Sequence, residues 1–75
     1  MTLDELIDLM QPLTRGAMLT RDTPVLSSGL LDSFHFAAFL QSIEARAGVA
    51  IELCDIGVDN FDTPAQMIAF LQDRR

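Results

Sequence analysis

Leu3, Leu6, Ile7, Met10 and Leu13 recur at intervals of three and four, the spacing of one helix face. Ahead of them, Thr2-Leu3-Asp4-Glu5 has the form of a capping box, in which the Thr2 hydroxyl accepts from the Glu5 backbone N–H and the Glu5 side chain reaches back. Asp4 and Glu5 also suit the positive end of a helix dipole. The pattern predicts a first helix over about residues 3–15. Gly16 is a stop signal, and Pro12, which lacks an amide donor, predicts a kink or an early end in the last turn.

The helical period then lapses from 16 to 32. So long a connection in a small domain is held down by its own side chains or serves a function. Met18, Leu19, Val25, Leu26, Leu30 and Leu31 are the expected anchors, with turns at Arg21-Asp22-Thr23-Pro24 and Ser27-Ser28-Gly29.

From Ser33 the period resumes and runs to about Ala47, with Gly48 ending the helix. At about 100° per residue, Phe36, Leu40, Ile43 and Ala47 point one way, with Phe39 on the flank, and form the expected core stripe. Phe34, Ala38, Gln41 and Ala45 point the other way, while His35, Glu44 and Arg46 lie at the sides. A solvated helix face normally carries more charge than this outward stripe. The second helix therefore reads as a contact surface.

Val49 and Ile51 alternate in a short extended piece, with no second strand evident to pair with it. Residues 52–59 have room for one helical turn, with Leu53, Cys54, Ile56 and Val58 available to pack. Asp59-Asn60-Phe61-Asp62 reads as a turn with Phe61 buried. Thr63-Pro64-Ala65-Gln66 is a second strong helix start, and Met67, Ile68, Phe70 and Leu71 continue it to about Asp73. Arg74 and Arg75 would complement the negative end of that helix. The expected fold is all-α: a small bundle of three to four helices in one domain, residues 1–75, with a long loop between helix one and helix two.

Composition narrows the function. Eleven acidic against five basic residues give a formal charge of −6, and the arginines are scattered, which excludes a nucleic-acid-binding surface. The first 13 residues have no basic n-region, and the longest apolar run, near 34–40, is far too short to span a bilayer. A cytoplasmic chain without membrane insertion is expected. One cysteine, Cys54, allows no internal disulfide, and its apolar context points to a buried, inert thiol.

The constellations of an enzyme are missing. The one histidine, His35, projects about 200° from Ser33 if both are helical, so the two are poorly placed as a nucleophile–base pair and His35 reads as a solvated helix residue. No HExxH, paired cysteines, phosphate-binding glycine loop or GxSxG is present.

Asp32-Ser33 stands out against this background. Both residues are good helix N-caps. Leu30, Leu31 and Phe34 collar the pair with apolar groups that capping alone does not require. A serine in the first helical turn would place a phosphodiester where the dipole favours an anion, and Asp32 would offer a hard oxygen to a divalent cation during phosphoryl chemistry.

Gly29-Leu30-Leu31-Asp32-Ser33-Phe34 resembles the attachment motif of acyl carrier proteins, with Phe34 in place of the family's leucine. The resemblance continues through Ile43-Glu44, Arg46, Gly48-Val49 and Ile51 and through Asp59-Asn60-Phe61-Asp62-Thr63-Pro64, covering residues 25–72. Within that family it is most similar to D-alanyl carriers and other free-standing aminoacyl or peptidyl-type carriers. The resemblance implies that Ser33 receives 4′-phosphopantetheine from coenzyme A through a separate phosphopantetheinyl transferase using Mg²⁺, which also supplies the base. It implies a non-enzymatic phosphoprotein that holds an acyl or aminoacyl cargo as a thioester. An adenylating enzyme would load it, and an acyltransferase or condensing enzyme of a dedicated biosynthetic pathway would unload it.

The sequence departs from fatty-acid carriers at helix two, where Glu44 is the sole acid. Leu31, Phe34, Ala38, Gln41 and Ala45 are accordingly expected to make apolar partner contacts, with the chain acting as a monomer. An unmodified helical interaction module using the same helix-two face is the alternative. Phe36, Phe39 and Phe70 are placed to fill the interior against a long acyl chain, which favours a small cargo.

Overall fold

The capping box at the N-terminus forms as its spacing predicts. In the computed structural model, Thr2 N–H donates to Glu5 Oε1 at 2.9 Å and Glu5 N–H to Thr2 Oγ1 at 3.2 Å. The structure describes residues 1–74, the Arg74 side chain excepted, so the expectation that Arg74 and Arg75 complement the last helix lies outside the described residues. Helix α1 spans Leu3–Met10 and buries Leu6 and Met10. It stops short of residue 15 because Pro12 has no N–H to continue the ladder, and the chain proceeds as a 3-10 turn, Gln11–Thr14. The reversal is shared by Arg15, at a left-handed φ of 60°, and Gly16, at 73°.

The crossing loop is anchored through its backbone as much as its side chains. Val25 N–H donates to the Asp62 carbonyl at 2.7 Å, Ala65 N–H to the Arg21 carbonyl at 2.9 Å, and Leu31 N–H to the Val25 carbonyl at 3.0 Å. Leu19, Val25 and Leu31 enter the core, and Leu26 is half-buried. Two of the six expected anchors do not: Met18 is 88% exposed, and Leu30 also faces solvent. Ala17, Met18 and Leu19 alternate half-buried, exposed and buried, as an extended chain turns successive side chains to opposite sides.

Helix α2, Ser33–Ala47, has the boundaries the sequence predicts. Asp32 is its N-cap, and Gly48 closes it at φ 69° with its N–H on the Glu44 carbonyl at 3.0 Å. Phe36, Phe39 and Ile43 are buried while Leu40 and Ala47 are half-buried, so the core stripe is centred on Phe39 rather than flanked by it.

After Gly48 the chain makes a 3-10 turn at Leu53–Asp55 and a short helix α3, Val58–Phe61, where a turn was expected. No strand forms among the described residues. Phe61 is fully buried, as its position predicts. The expected packing of Leu53, Cys54, Ile56 and Val58 is not found: all four are exposed, Leu53 at 87%. Asp55 takes the inward position of the 3-10 turn, where its carboxylate accepts from Glu52 N–H at 3.1 Å, and its neighbours are left outside.

Helix α4, Pro64–Arg74, begins on the predicted Thr63–Gln66 box. Thr63 Oγ1 accepts from Gln66 N–H at 3.2 Å, and Gln66 Oε1 accepts from the N–H groups of Thr63 and Asp62, both at 3.0 Å. α1 packs against α2 and α4, and α3 against α4. Met10, Phe39, Phe61 and Met67 are fully buried between them. Phe61 meets Phe36 edge-on at 5.9 Å and lies 5.1 Å from Phe70, filling the interior with rings. The result is an all-α bundle with one long loop between its first two main helices. No described helix is long and apolar enough to cross a membrane.

Candidate functional site at the start of the second helix

The polar residues of the attachment-like stretch converge on the first turn of α2. Asp32 caps the helix, its Oδ1 accepting the His35 backbone N–H at 2.8 Å. The His35 imidazole folds back onto the same carboxylate, with Nδ1 2.9 Å from Oδ1 and 3.0 Å from Oδ2. A carboxylate can only accept, so Nδ1 carries the proton. The backbone N–H of His35 and then its imidazole hold the Asp32 carboxyl below the usual carboxylate range. His35 was expected to be simply solvated, and its pairing with Asp32 was not foreseen.

Ser33 occupies the first helical position and is exposed, and among the described residues no group of the chain hydrogen-bonds its hydroxyl. Beside it runs a groove of about 580 Å³, lined by Leu26, Leu31, Phe36, Ala37, Leu40 and Ile56 together with Gly29, Asp32 and Ser33. A smaller cleft of about 270 Å³ lies between Pro12–Arg15, Gly29-Leu30, Asp32 and His35. Ser33 lines the first hollow and His35 the second, in keeping with their divergent helical positions.

The residues expected to meet partners divide into two groups. Phe34, at 72% exposure, and Ala38, Gln41 and Ala45 are all exposed along one side of α2. Leu31 departs from the expectation: it is only 3% exposed, drawn inward by its N–H bond to Val25, and serves as core and groove wall. Glu44, the one acid of α2, accepts the Ile51 N–H at 2.9 Å, so the face gains little free negative charge from it. Cys54 is exposed rather than buried, its Sγ 3.9 Å from Glu52 Oε2. No cluster of three or more His, Cys, Asp or Glu suited to a metal occurs among the described residues.

The groove itself was missed at the sequence level. Its signal was present in Ser33, Ala37 and Leu40, which share a line on α2 at steps of four and three. Leu26 and Ile56, the opposite wall, come from segments with no periodicity to read.

The residues present fit a phosphodiester-linked arm at Ser33. The hydroxyl is exposed and unengaged, it stands at the positive end of a 15-residue helix, and the adjoining groove is mostly apolar.

No family model matches the chain. A D-alanyl carrier protein of Staphylococcus saprophyticus is 23% identical over 74 residues, spanning 96% of this chain and 95% of that one. The likeness extends from end to end of two chains of nearly equal size, and it supports a carrier protein as the class.

Proposed function

We propose that this chain is a carrier whose Ser33 accepts 4′-phosphopantetheine from coenzyme A and which presents a small acyl or aminoacyl cargo to partner enzymes. The observation that carries the reading is an exposed, unengaged serine hydroxyl at the first position of α2, beside an apolar groove. The end-to-end likeness to a D-alanyl carrier supports it independently.

Each part of the chain then has a task. The α2 dipole favours the phosphodiester, and Asp32 stands ready as the oxygen ligand beside it. The groove walls Leu26, Ala37, Leu40 and Ile56 offer apolar surface to an arm or cargo lying against the bundle. The Phe36–Phe61–Phe70 cluster closes the interior, which suits a small cargo held outside it. When attached, the arm supplies a terminal thiol for thioester chemistry and brings one cargo to successive active sites at high effective concentration. The activating base belongs to the transferase, since Ser33 and His35 line separate hollows. Partner enzymes, an adenylating ligase for loading and an acyltransferase or condensing enzyme for unloading, meet the Phe34–Ala38–Gln41–Ala45 face.

Incubation with coenzyme A, Mg²⁺ and a broad-specificity phosphopantetheinyl transferase tests the proposal. The chain should gain the mass of one phosphopantetheine, and Ser33→Ala should gain none. No gain in the wild-type chain returns α2 to the role of an unmodified interaction face.

A further inference from the structure

The imidazole of His35 stands almost equally far from the two oxygens of Asp32, 2.9 Å from Oδ1 and 3.0 Å from Oδ2. Its Nδ1–H therefore points between them. That is the position a cation takes when a carboxylate chelates it through both oxygens. Oδ1 is further committed to the His35 backbone N–H at 2.8 Å. Asp32 is thus occupied twice by one residue, and its chelating side is blocked by a side chain.

The block is local. His35 and Asp32 are both substantially exposed. Nothing buries the imidazole, so rotation about its side-chain bonds frees the carboxylate without disturbing the fold. The backbone N–H bond, set by the helix itself, keeps Asp32 in place as the cap while the imidazole leaves. On the cleft side His35 faces Pro12, Leu13 and Arg15, which gives the ring somewhere to stand.

We propose that His35 is a positioning residue for the modification of Ser33: it shields the chelating side of Asp32, and a divalent cation reaches that carboxylate only when the imidazole swings away. This rests on the carrier reading of Ser33. The resting chain keeps its acid paired, and the cation required for phosphoryl transfer competes with an internal donor. The donor contributes a hydrogen bond to a charged acceptor, so its removal should ease cation use without altering the reacting hydroxyl.

The test is the Mg²⁺ dependence of phosphopantetheine transfer from coenzyme A by a broad-specificity transferase, followed by mass spectrometry. His35→Ala removes the donor, whereas His35→Asn places its Nδ2–H where Nδ1–H stands. Half-saturating Mg²⁺ should fall by about fivefold in His35→Ala, the scale of one net hydrogen bond, and return towards the wild-type value in His35→Asn. A merely structural role for His35 changes the melting temperature but leaves the Mg²⁺ dependence alone. A second readout needs no transferase: the imidazole ¹⁵N shifts of the unmodified chain should show the Nδ1–H tautomer, and Mg²⁺ alone should perturb Asp32 more in His35→Ala than in wild type. Identical Mg²⁺ curves for all three chains, or an Nε2–H tautomer, overturn the proposal while the carrier reading stands. A wild-type chain that accepts no phosphopantetheine overturns the carrier reading, and this proposal with it.

Discussion

Asp62 holds Ser27 twice across 35 residues of chain, accepting its backbone N–H at 2.9 Å through Oδ1 and its hydroxyl at 2.9 Å through Oδ2. Oδ1 also takes the Leu26 N–H at 3.1 Å, and the Asp62 carbonyl takes that of Val25 at 2.7 Å. One residue at the junction of α3 and α4 thereby pins the loop that supplies Leu26 to the groove beside Ser33. Asp62→Ala is expected to lower stability by about 1 kcal/mol, the worth of hydrogen bonds to a charged group after allowance for solvent screening. It should also loosen residues 25–31 before the rest of the fold. Urea unfolding measures the first effect and amide exchange of Leu26 and Ser27 the second.

Acid should act through the same contact. The Ser27 backbone N–H holds the Asp62 carboxyl below its ordinary 3.8. His35 does so for Asp32, and Thr2 lowers Glu5 from 4.5. The unfolded chain binds these protons at higher pH than the folded one. The stability they confer is whole above the ordinary carboxylate values and drains away as pH falls through the lower folded ones. The urea midpoint should be flat near neutrality and decline below about pH 4.5. The decline should be shallower in Asp62→Asn, which keeps an acceptor oxygen but cannot titrate.

Phe39 is fully buried at the centre of the α2 stripe. Phe39→Ala removes most of an aromatic side chain from a small core and should cost about 3–5 kcal/mol. That is a large share of the about 5–15 kcal/mol available to a natural domain, so equilibrium unfolding should show a variant near its folding threshold. Ala38→Ser, on the exposed side of the same helix, should leave the unfolding midpoint within about 0.5 kcal/mol of wild type.

Phe34 is the large apolar group most exposed on α2. Phe34→Ala should leave the melting temperature nearly unchanged and weaken binding to an adenylating partner by tenfold or so, as loss of an aromatic anchor does. Because Glu44 is committed to Ile51 and the stripe is otherwise uncharged, raising salt from low to physiological strength should alter that affinity only slightly. Titration calorimetry at two ionic strengths reads both effects.

The fold was legible wherever its cause is local. Thr2 with Glu5, Thr63 with Gln66, and Gly48 after Ala47 each fix a helix end through residues a few positions apart, and all three form as their spacing predicts. Pro12 announced the early end of α1 for the same reason. What could not be read depends on distant partners. Met18 and Leu19 are alike in composition, and only the path of the loop puts Leu19 in the core and Met18 in water. Cys54 and Leu53 sit outside because Asp55 and Phe61 take the inward places. At the candidate site, Ser33 and Asp32 were recognisable from their neighbours along the chain. The groove beside them was not, since Leu26 and Ile56 reach it from segments 30 residues apart (56 less 26).

The central claim concerns one oxygen atom, Ser33 Oγ, and intact-mass measurement after incubation with coenzyme A, Mg²⁺ and a broad-specificity transferase addresses it most directly. The expected result is a quantitative gain of a single phosphopantetheine, mapped to the peptide containing Ser33 and absent from Ser33→Ala. A folded wild-type chain that gains no mass, or a Ser33→Ala variant that still gains it, would contradict the claim.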